Sequence, residues 1–233
     1  MYSDIPRRLA EIRDRIANAA GRAGRKPEDV RLIAVSKTHP IEAVRAAADA
    51  GQIDFGENKV QEALQKIAQG ADMGIRWHLI GHLQSNKARK AAAAVGAIHA
   101  IDGVDLLKRV DQAASEAGRI VDVLIQVDLA LEDTKHGAPV DAVPAIVKAA
   151  EGCTAARLTG LMLLPPLAEN PEEARPWFAR LRALRDELVE GGSPADRLRE
   201  LSMGMSHDFE VAIAEGATMV RVGTAIFGER PYV

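Results

Sequence analysis

Val30–Lys37 reads VRLIAVSK, and Thr38–Gly51 behind it reads THPIEAVRAAADAG. The first stretch is short, apolar and rich in branched residues, the signature of a strand buried on both faces. The second has Pro40 at its start and Gly51 at its stop, which predicts a helix between them. The same strand-then-helix unit repeats to the end of the chain. The further strands are predicted at Ile53–Glu57, Ile75–Ile80, Ala97–Asp102, Val121–Asp128, Arg157–Leu164, Leu198–Met203 and Met219–Ile226. Helices are predicted at Lys59–Gln69, Asn86–Val95, Val104–Ala117, Val140–Ala150, Glu172–Leu188 and His207–Ala214. Eight alternations imply parallel strands joined by right-handed crossovers, and that count favours a closed (β/α)8 TIM barrel over an open sheet. No Gly-x-Gly-x-x-Gly follows the first strand, which counts against a dinucleotide-binding sheet.

Upstream, Ile5, Leu9, Ile12 and Ile16 fall at spacings of four and three, so an extra amphipathic helix precedes the barrel and ends near Gly21 or Gly24. Pro165–Pro171 and Gly191–Pro194 read as loops, and the 233 residues are expected to form one domain. Aromatics make up only 3% of the residues, so the core must be aliphatic. A formal net charge of −3 gives no general attraction to nucleic acid or an anionic membrane. Met1–Arg15 carries mixed charge and no apolar run reaches about 20 residues, so neither a signal peptide nor a membrane span is expected. Cys153 stands alone, so no internal disulfide can form. A cytoplasmic, soluble and monomeric protein is expected.

In a barrel the ligand sits at the C-terminal ends of the strands. Lys37 ends an aliphatic strand, where partial desolvation would free its amine for carbonyl chemistry. Taken alone it reads first as a lysine that snorkels, or that pairs with Glu57 or Asp102. Ser202-Met203-Gly204-Met205-Ser206 precedes the helix predicted from His207, and Gly223-Thr224 lies in the eighth unit. Barrels commonly hold phosphate with these last two loops, although Ser206 also suits a helix N-cap supported by Glu210. Arg221 interrupts an apolar strand and needs a carboxylate, Glu57 or Glu210, or a ligand. His78 and His82 read as hydrogen-bonding residues near the barrel mouth, since no further metal ligand stands at a suitable spacing. His207 reads as a surface residue of a first helical turn. An amine, a phosphate cradle and an inward arginine are together what a phosphorylated aldehyde cofactor requires.

The same residues carry a family resemblance. Ala34–Lys37 (AVSK), Phe55–Asn58 (FGEN), Trp77–Lys87 (WHLIGHLQSNK), Leu201–Glu210 (LSMGMSHDFE) and Val220–Gly228 (VRVGTAIFG) resemble, in order, the YggS/PROSC family of pyridoxal 5′-phosphate (PLP) homeostasis proteins. The resemblance implies the barrel of alanine racemase, with Lys37 forming a Schiff base with PLP. It places Ser206, Gly223 and Thr224 on the phosphate, Arg221 at the pyridine nitrogen, and Asn58 and Met203 along the ring. Small departures are Val127-Asp128 for the family's Val-Asn, Thr134-Lys135-His136-Gly137 for Ser-Lys-x-Gly, and Leu163-Leu164 for a smaller pair. An arginine at the ring nitrogen disfavours ring protonation and so weakens the cofactor as an electron sink. Alanine racemase, by the same resemblance, adds a second domain and a tyrosine base, whereas Tyr2 and Tyr232 here stand at no strand end. The expected role is intracellular PLP buffering and delivery to PLP-dependent apoenzymes, without strong catalysis. The alternatives are a weak PLP-dependent amino-acid racemase and, more distantly, a phosphosugar barrel enzyme using Lys37.

Overall fold

Eight parallel strands close into a ring in the computed structural model, whose described residues are 2–130 and 136–229. Thr134, Lys135 and Tyr232 lie outside those residues. The barrel strands are β1 (Arg31–Val35), β2 (Asp54–Glu57), β3 (Arg76–Leu79), β4 (Ala97–Ile101), β5 (Val121–Asp128), β7 (Ala156–Met162), β8 (Glu200–Met205) and β9 (Met219–Val222). Each pairs with the next, and the pairing of β1 with β9 (Leu32 opposite Val220) closes the ring. A two-residue strand that the sequence did not disclose, β6 (Ala138–Pro139), pairs beside the end of β5.

The helices are α1 (Ile5–Arg22), α2 (Ile41–Asp49), α3 (Val60–Gln69), α4 (Ala88–Ala92), α5 (Val104–Glu116), α6 (Val143–Ala150), α7 (Arg175–Glu190), α8 (Phe209–Ala214) and α9 (Thr224–Phe227). The predicted extra helix is α1. Its stripe of Ile5, Leu9, Ile12 and Ile16 is buried, and the helix packs against α2, α8 and α9. Burial of each such side chain stabilises by roughly 1.5–3 kcal/mol, so α1 is a working part of the barrel wall. Arg15 of α1 hydrogen-bonds Glu210 at 2.7 Å and its guanidinium lies 4.6 Å from the Phe209 ring centre.

Most of the core lies between strands and helices, where aliphatic residues surround Phe55, Phe178 and Phe209. The barrel interior is different. Its apolar cluster is small, Ile33, Leu124, Met162 and Met219, and the remaining space holds buried polar groups, among them His78, His99, Ser202 and Arg221.

Most strands begin or end one or two residues from the sequence reading, and two of the differences bear on the site. The eighth barrel strand stops at Val222 instead of Ile226. Ile226 and Phe227 donate their N–H groups to the Gly223 carbonyl, so the apolar run continues as the helical turn α9. The seventh runs Glu200–Met205 instead of Leu198–Met203, which puts Met203 and Gly204 inside a strand. Its pairing with β9 shifts register between Ser202 and Met205. Gly204 has φ 90°, and a Cβ there would stand 2.6 Å from that of Ala212. Only glycine allows this kink of the strand against α8.

Candidate functional site

At the C-terminal ends of the strands lies a cavity of about 550 Å3. Lys37, Asn58, Ser206, Arg221, Gly223 and Thr224 all line it, so six of the seven residues nominated from the sequence meet there. Met203 does not. It is fully buried in the apolar core outside the barrel, and the register shift in β8 brings Met205 to the cavity wall instead. His39, His82, Gln126, His136 and His207 also line the cavity.

Lys37 sits in the β1–α2 turn between two fixed neighbours. On one side, Ser36 is fully buried and its hydroxyl donates to Glu57 Oε1 at 2.6 Å. On the other, Thr38 has φ 67°, a left-handed backbone unusual for a branched residue. Its N–H donates to Glu62 Oε1 at 2.6 Å. Behind the turn, the Lys66 ammonium spends its three donors on Ser36 O at 2.7 Å, Glu57 Oε1 at 2.6 Å and Glu62 Oε1 at 2.8 Å. Such strain persists only where surroundings over-determine it, and it concentrates at functional positions. Glu57 and Asp102, the suggested partners of Lys37, are otherwise engaged: Glu57 with Lys66, and Asp102 with His82 at 3.7 Å.

Across the cavity, Ser206 follows β8 directly and Gly223 follows β9. The Gly223 N–H donates to Ser206 Oγ at 3.2 Å, tying the two loops together. A Cβ on Gly223 would stand 3.1 Å from the Val35 carbonyl, so the backbone comes close to β1 here. Ser206 is therefore not the cap of α8. Asp208 holds that position, and its carboxylate accepts the Met205 N–H at 2.6 Å.

Arg221 pairs with neither Glu57 nor Glu210. Its guanidinium donates to Ser202 Oγ at 2.7 Å and to the Leu163 carbonyl at 2.8 Å. Burial pushes it down to about 10, with the Asp208 carboxylate acting in the opposite direction. It therefore remains a cation at neutral pH, next to a cavity it lines. Ser202, grouped by sequence with the phosphate loop, belongs to this interior contact instead.

The histidines divide in two. His78 is fully buried in β3 inside the barrel and not at its mouth. His82 is at the mouth, its ring stacked on that of His136 with centres 3.6 Å apart and planes at 15°. Gln126 donates to the His136 carbonyl, which fixes that side of the stack. His207 is exposed, as the sequence suggested, and at the cavity mouth it donates Nε2–H to Glu169 O at 2.9 Å. Burial pushes the His82 imidazole below the ordinary histidine value, His136 adds to this, and Asp102 opposes it. Replacing His136 by Ala is therefore expected to raise the titration midpoint of His82, read from its ring proton by NMR. An unchanged midpoint would contradict the stacking account. Among the described residues no group of three His, Cys, Asp or Glu side chains is arranged to hold a metal. Nor is any helix among them long and apolar enough to cross a membrane.

An amine on a clamped turn, hydroxyls beside a close-lying backbone and a buried guanidinium thus share one cavity. Comparison with known proteins identifies the family. Residues 8–231 match the family described as alanine racemase, N-terminal domain. A pyridoxal phosphate homeostasis protein of Aquifex aeolicus is 43% identical over 225 residues, covering 97% of this chain and 98% of that protein. The structure of PipY from Synechococcus elongatus with PLP bound superposes with a TM-score of 0.85 at 42% identity, covering 96% of this chain and 100% of that one. Alanine racemase of Corynebacterium glutamicum, 18% identical, shares the fold over 98% of this chain and 63% of its own, with a TM-score of 0.72. The chain belongs to the family of the pyridoxal phosphate homeostasis proteins, built on the N-terminal barrel of alanine racemase.

Proposed function

We propose that this protein holds PLP as a Schiff base on Lys37 and serves as an intracellular store that buffers the cofactor and passes it to PLP-dependent apoenzymes. The observation that carries the reading is the convergence of Lys37, Ser206, Gly223, Thr224 and Arg221 on one cavity. The donor set fits the cofactor's three polar features. Lys37 supplies an amine for the aldehyde, Ser206 and Thr224 supply hydroxyls for the phosphate, and Arg221 supplies N–H donors for the ring nitrogen. Gly223 would leave the backbone open to the phosphate, and Asn58, on the same cavity wall, would lie along the ring. The PLP-bound relative of 42% identity supports PLP as the ligand.

When bound, PLP supplies an electrophilic aldehyde and a ring able to withdraw electrons. Arg221 opposes that withdrawal, because a fixed cation beside the ring nitrogen disfavours a second positive charge there. This favours storage over turnover. One observation favours a second reading, a weak amino-acid racemase: His82 and His136 stand on the cavity wall, where an imidazole can accept a proton.

Loaded protein mixed with an apoenzyme of the PLP class separates the two. Recovery of the acceptor's activity, without interconversion of L- and D-alanine by the carrier, is the expected result. Racemisation that disappears in Lys37→Ala would replace the storage reading with the second one. Within the storage reading, Ser206→Ala removes one hydroxyl from a charged group and is expected to weaken PLP binding about tenfold. A spectroscopic titration checks this, and unchanged affinity would remove Ser206 from the phosphate site.

A further inference from the structure

Arg221 is the cavity end of a chain of side chains that crosses the barrel interior. Its Nη1 lies 2.7 Å from Ser202 Oγ, and Ser202 Oγ lies 3.0 Å from His99 Nδ1. His99 Nε2 lies 3.0 Å from His78 Nδ1, and His78 Nε2 lies 2.8 Å from Asp54 Oδ1. These five residues come from β9, β8, β4, β3 and β2. His78, His99 and Ser202 are fully buried. Asp54 opens β2, reaches solvent in part, and sits 4.0 Å from Arg31. Neither His99 nor Asp54 attracted notice in the sequence, and the cavity chemistry described above uses neither.

The two ends fix the direction of every proton between them. A guanidinium has only donors, and an ionised carboxylate only acceptors. From Asp54, His78 must carry its proton on Nε2, so its Nδ1 accepts from His99 Nε2–H. That leaves His99 Nδ1 as an acceptor. From the other end, Ser202 accepts from Arg221, and its single hydroxyl proton is left for His99 Nδ1. The assignments made from the two ends meet without a clash of two donors or two acceptors. The reverse direction through the histidines would place an imidazolium and a guanidinium in one dry interior. It would also leave the Ser202 hydroxyl proton without its His99 acceptor. Burial, the leading cause at both rings, pushes His78 and His99 below the ordinary histidine value, His99 far below it. Both are therefore neutral.

We propose that Asp54, His78, His99 and Ser202 are positioning residues for the cofactor ring, a hydrogen-bond chain of one polarity that orients the Arg221 guanidinium toward the ring nitrogen. Ser202 Oγ and Leu163 O hold two of the guanidinium nitrogens, which sets its plane and leaves its other N–H groups to the cavity. Polarised along its length, the chain presents the negative side of the Ser202 hydroxyl to that cation. A carboxylate at the far end of the barrel thus acts on the site without touching it. This inference rests on the cofactor reading above, and its test separates the two.

The first measurement needs no cofactor. Long-range 15N–1H correlation spectra of histidine-labelled protein are expected to show His78 and His99 as neutral Nε2–H tautomers. Asp54→Leu is expected to lose that pattern, and Asp54→Asn, which keeps an acceptor oxygen, to retain it. An imidazolium or an Nδ1–H tautomer at either ring in the wild type would overturn the chain. The second uses PLP labelled with 15N in its ring. Ser202→Ala and Asp54→Leu are each expected to move the ring nitrogen resonance away from its wild-type position, with Asp54→Asn staying close to it. Ser202→Ala is also expected to speed PLP release about tenfold, the effect of losing one hydrogen bond to a charged group. If both disrupting variants are folded and the ring resonance does not move, the positioning role is wrong. If wild-type protein takes up no PLP, the cofactor reading falls and takes the ring-directed role with it. The tautomer pattern is decided separately by the first measurement.

Discussion

Replacing Lys37 by Ala is expected to abolish the visible Schiff-base band of PLP and to weaken cofactor binding on the order of 100-fold, about 2.7 kcal/mol. Lys37 lines the cavity between Val35 and His39, and no other lysine among the described residues lines it. Removing it takes away the covalent link but leaves Ser206, Gly223, Thr224 and Arg221 in place. Residual, weaker binding of unlinked PLP should therefore persist. Folding should be little affected, by no more than about 1 kcal/mol, because the side chain is only partly buried and sits in a turn. Absorbance titration and thermal melting of the same preparation check both halves. A variant that keeps the band, or that loses it only because it unfolds, would contradict the assignment.

Replacing Lys66 by Met is expected to cost about 3–5 kcal/mol of stability, the usual effect of removing one partner of a buried ion pair. That is a large share of the roughly 5–15 kcal/mol that holds a typical domain together. Glu57 is fully buried, and its Oε2 has no hydrogen-bond partner among the described residues. Burial already pushes the Glu57 carboxyl above its ordinary value of 4.5, while Lys66 and Ser36 hold it down. Without Lys66 it is pushed further up. A carboxyl raised in the folded state prefers its proton there, so the associated stability is complete below the unfolded value and is lost as pH rises through the folded one. The variant should accordingly lie closer to the wild type at about pH 4 than at about pH 8. Denaturation curves at the two pH values check this, and an equal deficit at both would contradict it. Because Lys66 also holds the Ser36 carbonyl at 2.7 Å, the same variant should loosen the turn that carries Lys37 and slow PLP uptake. Adding Glu57→Gln, which removes the stranded charge, should recover part of the stability.

Much of this was legible in the sequence, for identifiable reasons. Strand and helix periods differ, so eight short apolar runs separated by amphipathic stretches already describe a barrel. A barrel then dictates where its ligand binds, which pointed to Lys37, Ser206, Gly223 and Thr224, and the family resemblance added Asn58 and Arg221 to them. Two kinds of information were hidden. The first is side-chain parity in a strand, which one irregular residue can reverse. Met203 packs outward with Leu201 on the regular alternation, and Gly204, at φ 90°, breaks that alternation so that Met205 faces the cavity. The second is long-range pairing inside the barrel. Ile98-His99-Ala100 reads as an ordinary buried strand, and nothing local says that His99 meets a serine 103 residues away. The excess length given to the eighth strand has a related cause. Ala225, Ile226 and Phe227 suit a buried strand or a buried helical turn equally well, and only the Gly223 carbonyl, accepting two N–H groups, makes the turn.

The most direct test of the central claim is borohydride reduction of PLP-loaded protein, followed by peptide mass spectrometry. The account predicts one pyridoxyl group, on the peptide carrying Lys37 and on that residue. Label on other lysines with Lys37 unmodified, or no stable label at all, would contradict it.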